Sequence, residues 1–269
     1  MIPDKRKIKL IASDLDGTLL DSHKHLPEGF LPLLEDLLRQ GVCFVAASGR
    51  QYFNILEYFG SLRDKIWFIS ENGGIVYRQG KSVMAQNMEP QLWQPALAAA
   101  DLVGPSILSG SKSAYVAKKD MKNEKFAWNV HRFFARVTEV EELIPAALDD
   151  EICKIAVFAE NGSESVLYPG LKQFADRANV VVSGPDWVDV MDTKVSKGNA
   201  LTYIQRQLGI APTETMVFGD YLNDVSLLEN GSYAYAMENA HPELKKIATA
   251  IAPANDKGGV KKVLESIFA

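Results

Sequence analysis

Asp14 and Asp16 stand two residues apart, directly after the short apolar run LIAS. On an extended backbone that spacing turns both carboxylates to one side. Two adjacent anions at the end of a buried strand are costly, because like charge and burial each raise a carboxyl pKa. A divalent cation relieves the cost. Asp220 and Asp224, in GDYLND, add acidic groups at another strand tip, with no clustered His or Cys. Hard oxygen ligands of this kind favour magnesium over zinc. One of these carboxylates could attack phosphorus. An anion approaching an anionic phosphate needs neutralising charge, and Lys197, in VSKGNAL at the head of a helix, is a suitable second cation. Ser48 and the amides of Gly49 and Arg50 sit where a strand gives way to a helix, a natural phosphate cradle.

These clusters need elements to hold them, and the pattern supplies those elements. KIKLIAS (7–13), VCFVAAS (42–48), IWFIS (66–70), TMVFG (215–219) and YAYAM (233–237) read as short buried strands. Helical periodicity falls between them over 27–40, with Pro32 either starting or kinking the helix, and over 51–59. Further helices follow through Leu201, Ile204 and Leu208, from Val225 through Leu227 and Leu228, and through Val260, Val263, Leu264 and Ile267. IVYRQGKSVM reads as a hairpin turning at Gln79-Gly80. Strands alternating with helices predict an α/β fold with a mostly parallel sheet, and ligands bind such sheets at the carboxyl ends of the strands. From about 85 to 190 the pattern changes to SAYVAKK, ICKIAVFA, NVVVSG and DWVDVMD, several of which alternate like one-sided antiparallel strands. We read residues 1–84 plus 191–269 as one domain and 85–190 as a second, α+β domain inserted into it.

The chain has 269 residues, with 29 basic and 34 acidic side chains and a net charge of −5. That balance gives no electrostatic reason to expect nucleic acid. No apolar run approaches the length of a membrane span, and the N-terminal pattern lacks a secretory signal. The expectation is a cytoplasmic protein, a monomer or small homo-oligomer, with Cys43 and Cys153 as buried thiols rather than a disulfide. His23 and His25, flanking Lys24, are not expected to bind metal. Trp93, Trp128 and Trp187 are expected in the core of the inserted domain.

DLDGTLL, SGR, SKGNAL and GDYLND, in that order, resemble the four motifs of the haloacid dehalogenase-like superfamily. ENGG at 71–74 and GVKKVL at 259–264 resemble its Cof-type subgroup, IIB. The resemblance implies a Rossmann-like parallel sheet core and an inserted α+β cap that selects the leaving group. It implies a magnesium-dependent phosphatase for a small phosphorylated metabolite such as a sugar phosphate. Asp14 would be the nucleophile and Asp16 the general acid/base, its pKa raised by the neighbouring carboxylate. Asp14, the Asp16 carbonyl and Asp220 would bind Mg2+, with Asp224 in or near that set. Ser48, Gly49, Lys197 and Asn223 would hold phosphate, helped by the amides of Leu15 and Asp16, with Arg50 and Asn72 facing the ligand. A phosphotransferase or phosphomutase on the same scaffold, or an inactive ligand-binding regulator, remains open on the motifs alone.

Overall fold

The computed structural model describes residues 4–268. Its largest sheet has eight strands. In spatial order they are Ala250–Ala252, Tyr233–Met237, Thr215–Gly219, Leu10–Asp14, Cys43–Ala47, Trp67–Ser70, Ile75–Arg78 and Lys81–Ala85. The first six run parallel and the last two are antiparallel additions. Leu10–Asp14 is buried at every position. Helices cover both faces, so an uninterrupted apolar run is what this strand needs. The chain moves outward from this strand to one side through residue 85 and returns on the other side after residue 215. Leu10–Asp14 therefore lies at the topological switch point, with Asp14 at its carboxyl end.

Local chemistry explains most element ends. The first long helix is Phe30–Arg39 and buries Phe30, Leu34 and Leu37. Pro32 is its third residue, in the first turn where a missing N–H costs nothing, so the helix begins two residues before it and is not kinked there. Gln79 and Gly80 both have positive φ, 51° and 74°. This is the backbone a two-residue hairpin turn requires. The helix expected over 51–59 is shorter: Tyr52–Ile55 is α-helical, and the 3-10 segment Leu56–Lys65 is interrupted at Gly60, whose ψ of −123° is non-helical.

The middle of the chain builds a second sheet of six strands. Their order is Asn179–Gly184, Trp187–Met191, Ile152–Phe158, Ser106–Gly110, Ala114–Ala117 and Val137–Val140. All pairings are antiparallel except that of the last two strands. Ser106–Gly110 and Val137–Val140 have no signal in the sequence reading. SILSG mixes apolar and small polar residues, and VTEV is largely exposed at the sheet edge. Ile152–Phe158 is buried throughout rather than on one side. Leu108, Ile155 and Val157 pack with Trp93 and Leu97 of the helix Pro90–Ala100. Ile107, Ala156 and Phe158 pack with Phe126 and Val130 of the helix Glu124–Phe133. No helix among the described residues is long and apolar enough to cross a membrane. Both cysteines are free; Cys153 is buried, but Cys43 is only half-buried, because it begins its strand near the sheet's amino end.

Polar groups join the two sheets beside the first-sheet strand tips. Lys154, on the central strand of the second sheet, is 2% exposed. Its Nζ donates to the carbonyl of Gly49 at 2.6 Å, lies 2.6 Å from Glu71 Oε2, and is 3.8 Å from Asp189 Oδ2. Burial works against the Lys154 charge, but Asp189 and Glu71 outweigh it and raise the pKa to about 12. Removing one member of such a cluster strands buried charge. Lys154→Ala should lower the unfolding free energy by about 3–5 kcal/mol. Lys154→Met combined with Glu71→Gln should regain most of that loss. Urea unfolding of the two variants checks this, and a loss under about 1 kcal/mol in Lys154→Ala would show the cluster to be idle.

Candidate active site

Three strand tips and one helix start converge at the carboxyl end of the first sheet. Asp14 ends its strand, Ser48 follows Cys43–Ala47, and Gly219-Asp220 ends Thr215–Gly219. Lys197 is the first residue of the helix Lys197–Leu208, whose Ser196 side chain caps the amide of Asn199. Lys197 is 1% exposed, and its Nζ donates to Asp14 Oδ1 and Asp224 Oδ1, each at 2.6 Å. Burial opposes its charge, yet the two carboxylates more than compensate and raise its pKa.

The carboxylates divide into two groups. Oxygens of Asp14, Asp220 and Asp224 lie within 4.8 Å of one another. Asp224 is held at both oxygens: Oδ1 accepts from Lys197, and Oδ2 accepts from the amides of Asp220 and Tyr221 at 3.0 and 3.4 Å. Asp220 Oδ1 accepts from the Thr18 hydroxyl at 3.1 Å. Asp14 Oδ2 is buried and has no hydrogen-bond partner among the described residues. Burial, followed by the Asp14 and Asp224 charges, pushes Asp220 well above the carboxylate range. Burial also raises Asp14 to about 7, despite the opposing pull of Lys197. A divalent cation supplies the charge this group lacks. The clustered carboxylates of Asp14 and Asp220 are a hard oxygen donor set that fits one, with Asp14 able to give it one oxygen and keep the other free. Gly17 keeps that space open: with φ +78°, a Cβ there would meet Asp220 Oδ2 at 2.2 Å.

Asp16 belongs to the second group. Its side chain is held by Arg50, through Nε at 2.6 Å and Nη2 at 2.5 Å, and by Lys24 Nζ at 2.7 Å. Burial alone would raise its pKa, but Arg50 and then Lys24 overcome this and lower it. The expected elevation is therefore reversed. The raised carboxyl is Asp14, because the available cations are unevenly shared: two serve Asp16, while Lys197 serves two acids.

A cavity of about 530 Å3 opens over this site. Asp14, Asp16, Ser48, Gly49, Arg50, Asp220 and Asn223 line it. Asn72 and Lys197, expected at the phosphate, line with Asn223 a smaller cavity of about 200 Å3; Leu15, expected there through its backbone amide, and Asp224, expected in or near the metal set, line neither. Leu15 is buried in the first core, and Lys197 reaches the site through Asp14. Asn72 is 2% exposed with left-handed φ of 55°. Its amide donates to Asp189 of the second sheet and its oxygen accepts from Asn223 at 2.9 Å, so it acts as a joint. Ser48 Oγ accepts from the Arg50 amide at 3.1 Å, which fixes the turn carrying Gly49.

Sequence reasoning missed Lys24, Lys154 and Asp189. Lys24 had a signal in its closeness to the DLDGT segment; the other two lie in strands whose placement is tertiary. His23 and His25 lie outside the carboxylate cluster. Trp93 is core, as expected. Trp187 is part-buried, its ring 5.1 Å from Phe158. Trp128 is 58% exposed and lines the cavity instead of the core. Its helix turns Phe126 and Val130 inward, which leaves position 128 facing out.

An open, mostly parallel sheet with a carboxylate–lysine cluster at its switch point defines a phosphoryl-transfer type of α/β hydrolase. The chain matches the haloacid dehalogenase-like hydrolase family over residues 11–264 and belongs to it. It is 30% identical to the 5-amino-6-(5-phospho-D-ribitylamino)uracil phosphatase YbjI of Escherichia coli (strain K12), with 97% of this chain and 96% of that protein covered. It is 27% identical to the phosphatase YwpJ of Bacillus subtilis (strain 168), covering 97% and 100%. Among solved structures, SMU.1108c from Streptococcus mutans UA159 superposes with a TM-score of 0.89 at 26% identity, covering 96% and 98%. A haloacid dehalogenase-like hydrolase from B. subtilis gives 0.85 at 25%, covering 97% and 100%. The protein is a phosphoric monoester hydrolase of this family.

Lys197→Ala should lower kcat on a phosphate monoester by about two to four orders of magnitude, the range for loss of an electrostatic stabiliser. Steady-state kinetics on the folded variant checks this, and full activity would detach Lys197 from the reaction.

Proposed function

We propose that the chain hydrolyses a small phosphorylated metabolite, such as a sugar or polyol phosphate, in a Mg2+-dependent reaction that passes through a phosphorylated Asp14. The observation that carries this reading is the unpartnered Asp14 Oδ2, buried at the switch point beside Asp220 while Lys197 grips Oδ1. Asp14, Asp220 and the carbonyl of Asp16 would hold the ion, which neutralises phosphate charge when bound. Lys197 orients the Asp14 carboxylate so that Oδ2 faces the cavity for attack on phosphorus. A bond forms from Oδ2 to phosphorus as the ester oxygen leaves with its electron pair and takes a proton. Asp16 is the group to donate it. Arg50 and Lys24 keep Asp16 ionised in the resting site. A substrate phosphate competes for the same two cations, and their withdrawal lets Asp16 take up the proton it then delivers. Water next attacks phosphorus while Asp16 accepts its proton, and the P–Oδ2 bond breaks to release inorganic phosphate and restore the Asp14 carboxylate. The second sheet covers the cavity and supplies the leaving-group contacts, a role for residues 85–190 consistent with lids that exclude water.

The pKa pattern has a consequence that needs no turnover. Asp14 is raised from 3.8 to about 7, so the folded metal-free protein binds more protons than the unfolded chain between those values. Its stability should then fall as pH rises through that window. A cation requires the ionised carboxylates, so Mg2+ binding should release more protons at pH 6 than at pH 9 and tighten as pH rises. Calorimetry in buffers of different ionisation enthalpy measures this, and pH-independent binding would contradict it.

Asp14→Asn should reduce turnover to background while the fold persists. Chelation of Mg2+ should abolish wild-type activity, and Ca2+ should not restore it, because its looser, longer coordination disturbs the attack geometry. Substantial activity in Asp14→Asn, with deamidation excluded by mass spectrometry, would remove Asp14 as nucleophile.

A further inference from the structure

We propose that Trp128 and Arg132 form a platform for a flat, electron-poor heterocycle on the leaving group, so that the preferred substrates are phosphate esters of a polyol or sugar carrying such a ring. The proposal rests on the phosphatase reading and names the substrate class for that site. Trp128 and Arg132 are one helical turn apart on Glu124–Phe133, and both line the cavity that reaches Asp14 and Asp16. The Arg132 guanidinium lies 4.5 Å above the Trp128 ring. Phe133, on the same wall, covers the Arg50 guanidinium at 4.8 Å, so the wall runs from the Asp16–Arg50 pair to the platform.

Two features of this wall ask for a ring. Trp128 is 58% exposed, whereas Phe126 and Val130 of the same helix are fully buried. A large ring left in solvent at the side of a deep cavity gains free energy when another flat surface covers it. Arg132 is the second feature. The other cations of the cavity are paired: Lys24 and Arg50 with Asp16, and Lys154 with Glu71. Arg132 forms no ion pair among the described residues, and its recorded contacts are the faces of Trp128 and Phe133. A guanidinium carbon held over a ring and without an ion pair leaves N–H donors of its fork available to a ligand. Those donors suit ring carbonyl oxygens, and the indole face suits an electron-poor ring. A bare polyol phosphate satisfies the phosphate end and leaves this part of the 530 Å3 cavity to water.

The test uses two matched ester pairs, flavin mononucleotide against ribitol 5-phosphate and uridine 5′-monophosphate against ribose 5-phosphate. Within each pair only the ring differs. Wild-type kcat/KM should favour the ring-bearing ester by about tenfold or more in at least one pair, the scale of one stacked base. Trp128→Ala should bring that ratio close to one, and Trp128→Phe should retain most of it. Arg132→Met should reduce the ratio by about threefold to tenfold. Riboflavin, which carries the ring without phosphate, should be quenched on binding wild-type protein and not on binding Trp128→Ala. Wild-type ratios near one in both pairs overturn the platform, as does a Trp128→Ala variant that loses equally on both members of a pair. Ribitol 5-phosphate hydrolysis without riboflavin binding overturns the platform and leaves the phosphatase reading standing. Riboflavin binding lost in Trp128→Ala, with no ester hydrolysed by wild-type protein, supports the platform and overturns the reading of sugar and polyol phosphates as the substrates.

Discussion

Lys197 Nζ sits 2.6 Å from Asp14 and 2.6 Å from Asp224, with all three side chains almost wholly buried. An unpaired buried ion costs several kcal/mol, so none of the three tolerates loss of its partners. This constraint reaches through the fold. Lys197 must begin a helix, Asp14 must end a central strand, and Asp224 must lie where its other oxygen can receive the amides after Gly219. One cation between two acids leaves a negative surplus, and Asp220 adds to it. The surplus falls on Asp220 and on Asp14, whose second oxygen is free. The same electrostatic deficit that burdens the cluster suits it to a divalent ion.

A second balance separates Asp16 from Asp14 although they are neighbours in sequence. Arg50 reaches Asp16 with two nitrogens and packs against Phe133, while Lys24 approaches from the loop that follows the DLDGT segment. Two carboxylates of identical type thus have opposite shifts, one raised by burial and the other lowered by its cations. Environments that push acids apart allow them different parts in one reaction.

The second sheet is bound to this chemistry through the turn that carries Gly49. Lys154 holds the Gly49 carbonyl, Asn72 holds Asp189, and Gln51 exchanges hydrogen bonds with the backbone of Arg136. Each contact runs between a strand tip or helix start of the first sheet and the inserted segment. Movement of the second sheet therefore pulls on the turn beside Ser48, and the cavity wall that meets a leaving group shares its anchoring with the phosphate end.

The local pattern already contained the parallel core, because buried strands, helix stripes and the Gln79-Gly80 turn are encoded by neighbours in sequence. It also contained the positions of Asp14, Ser48 and Asp220 at strand ends and of Lys197 at a helix start, because apolar runs and a helical stripe adjoin those residues in the sequence. Several facts depended on contacts between segments far apart in the chain. Asn72 is a joint because Asp189 and Asn223 meet it from separate elements. Asp16 is the acid with the lowered pKa because Arg50 and Lys24 converge on it. The strand Ser106–Gly110 exists because Ile152–Phe158 and Ala114–Ala117 flank it. Trp128 faces the cavity because Phe126 and Val130 take the buried side of its helix. Periodicity encodes which face of an element is apolar, but charge pairing and cavity walls are set by what that face meets, and only the tertiary structure decides that.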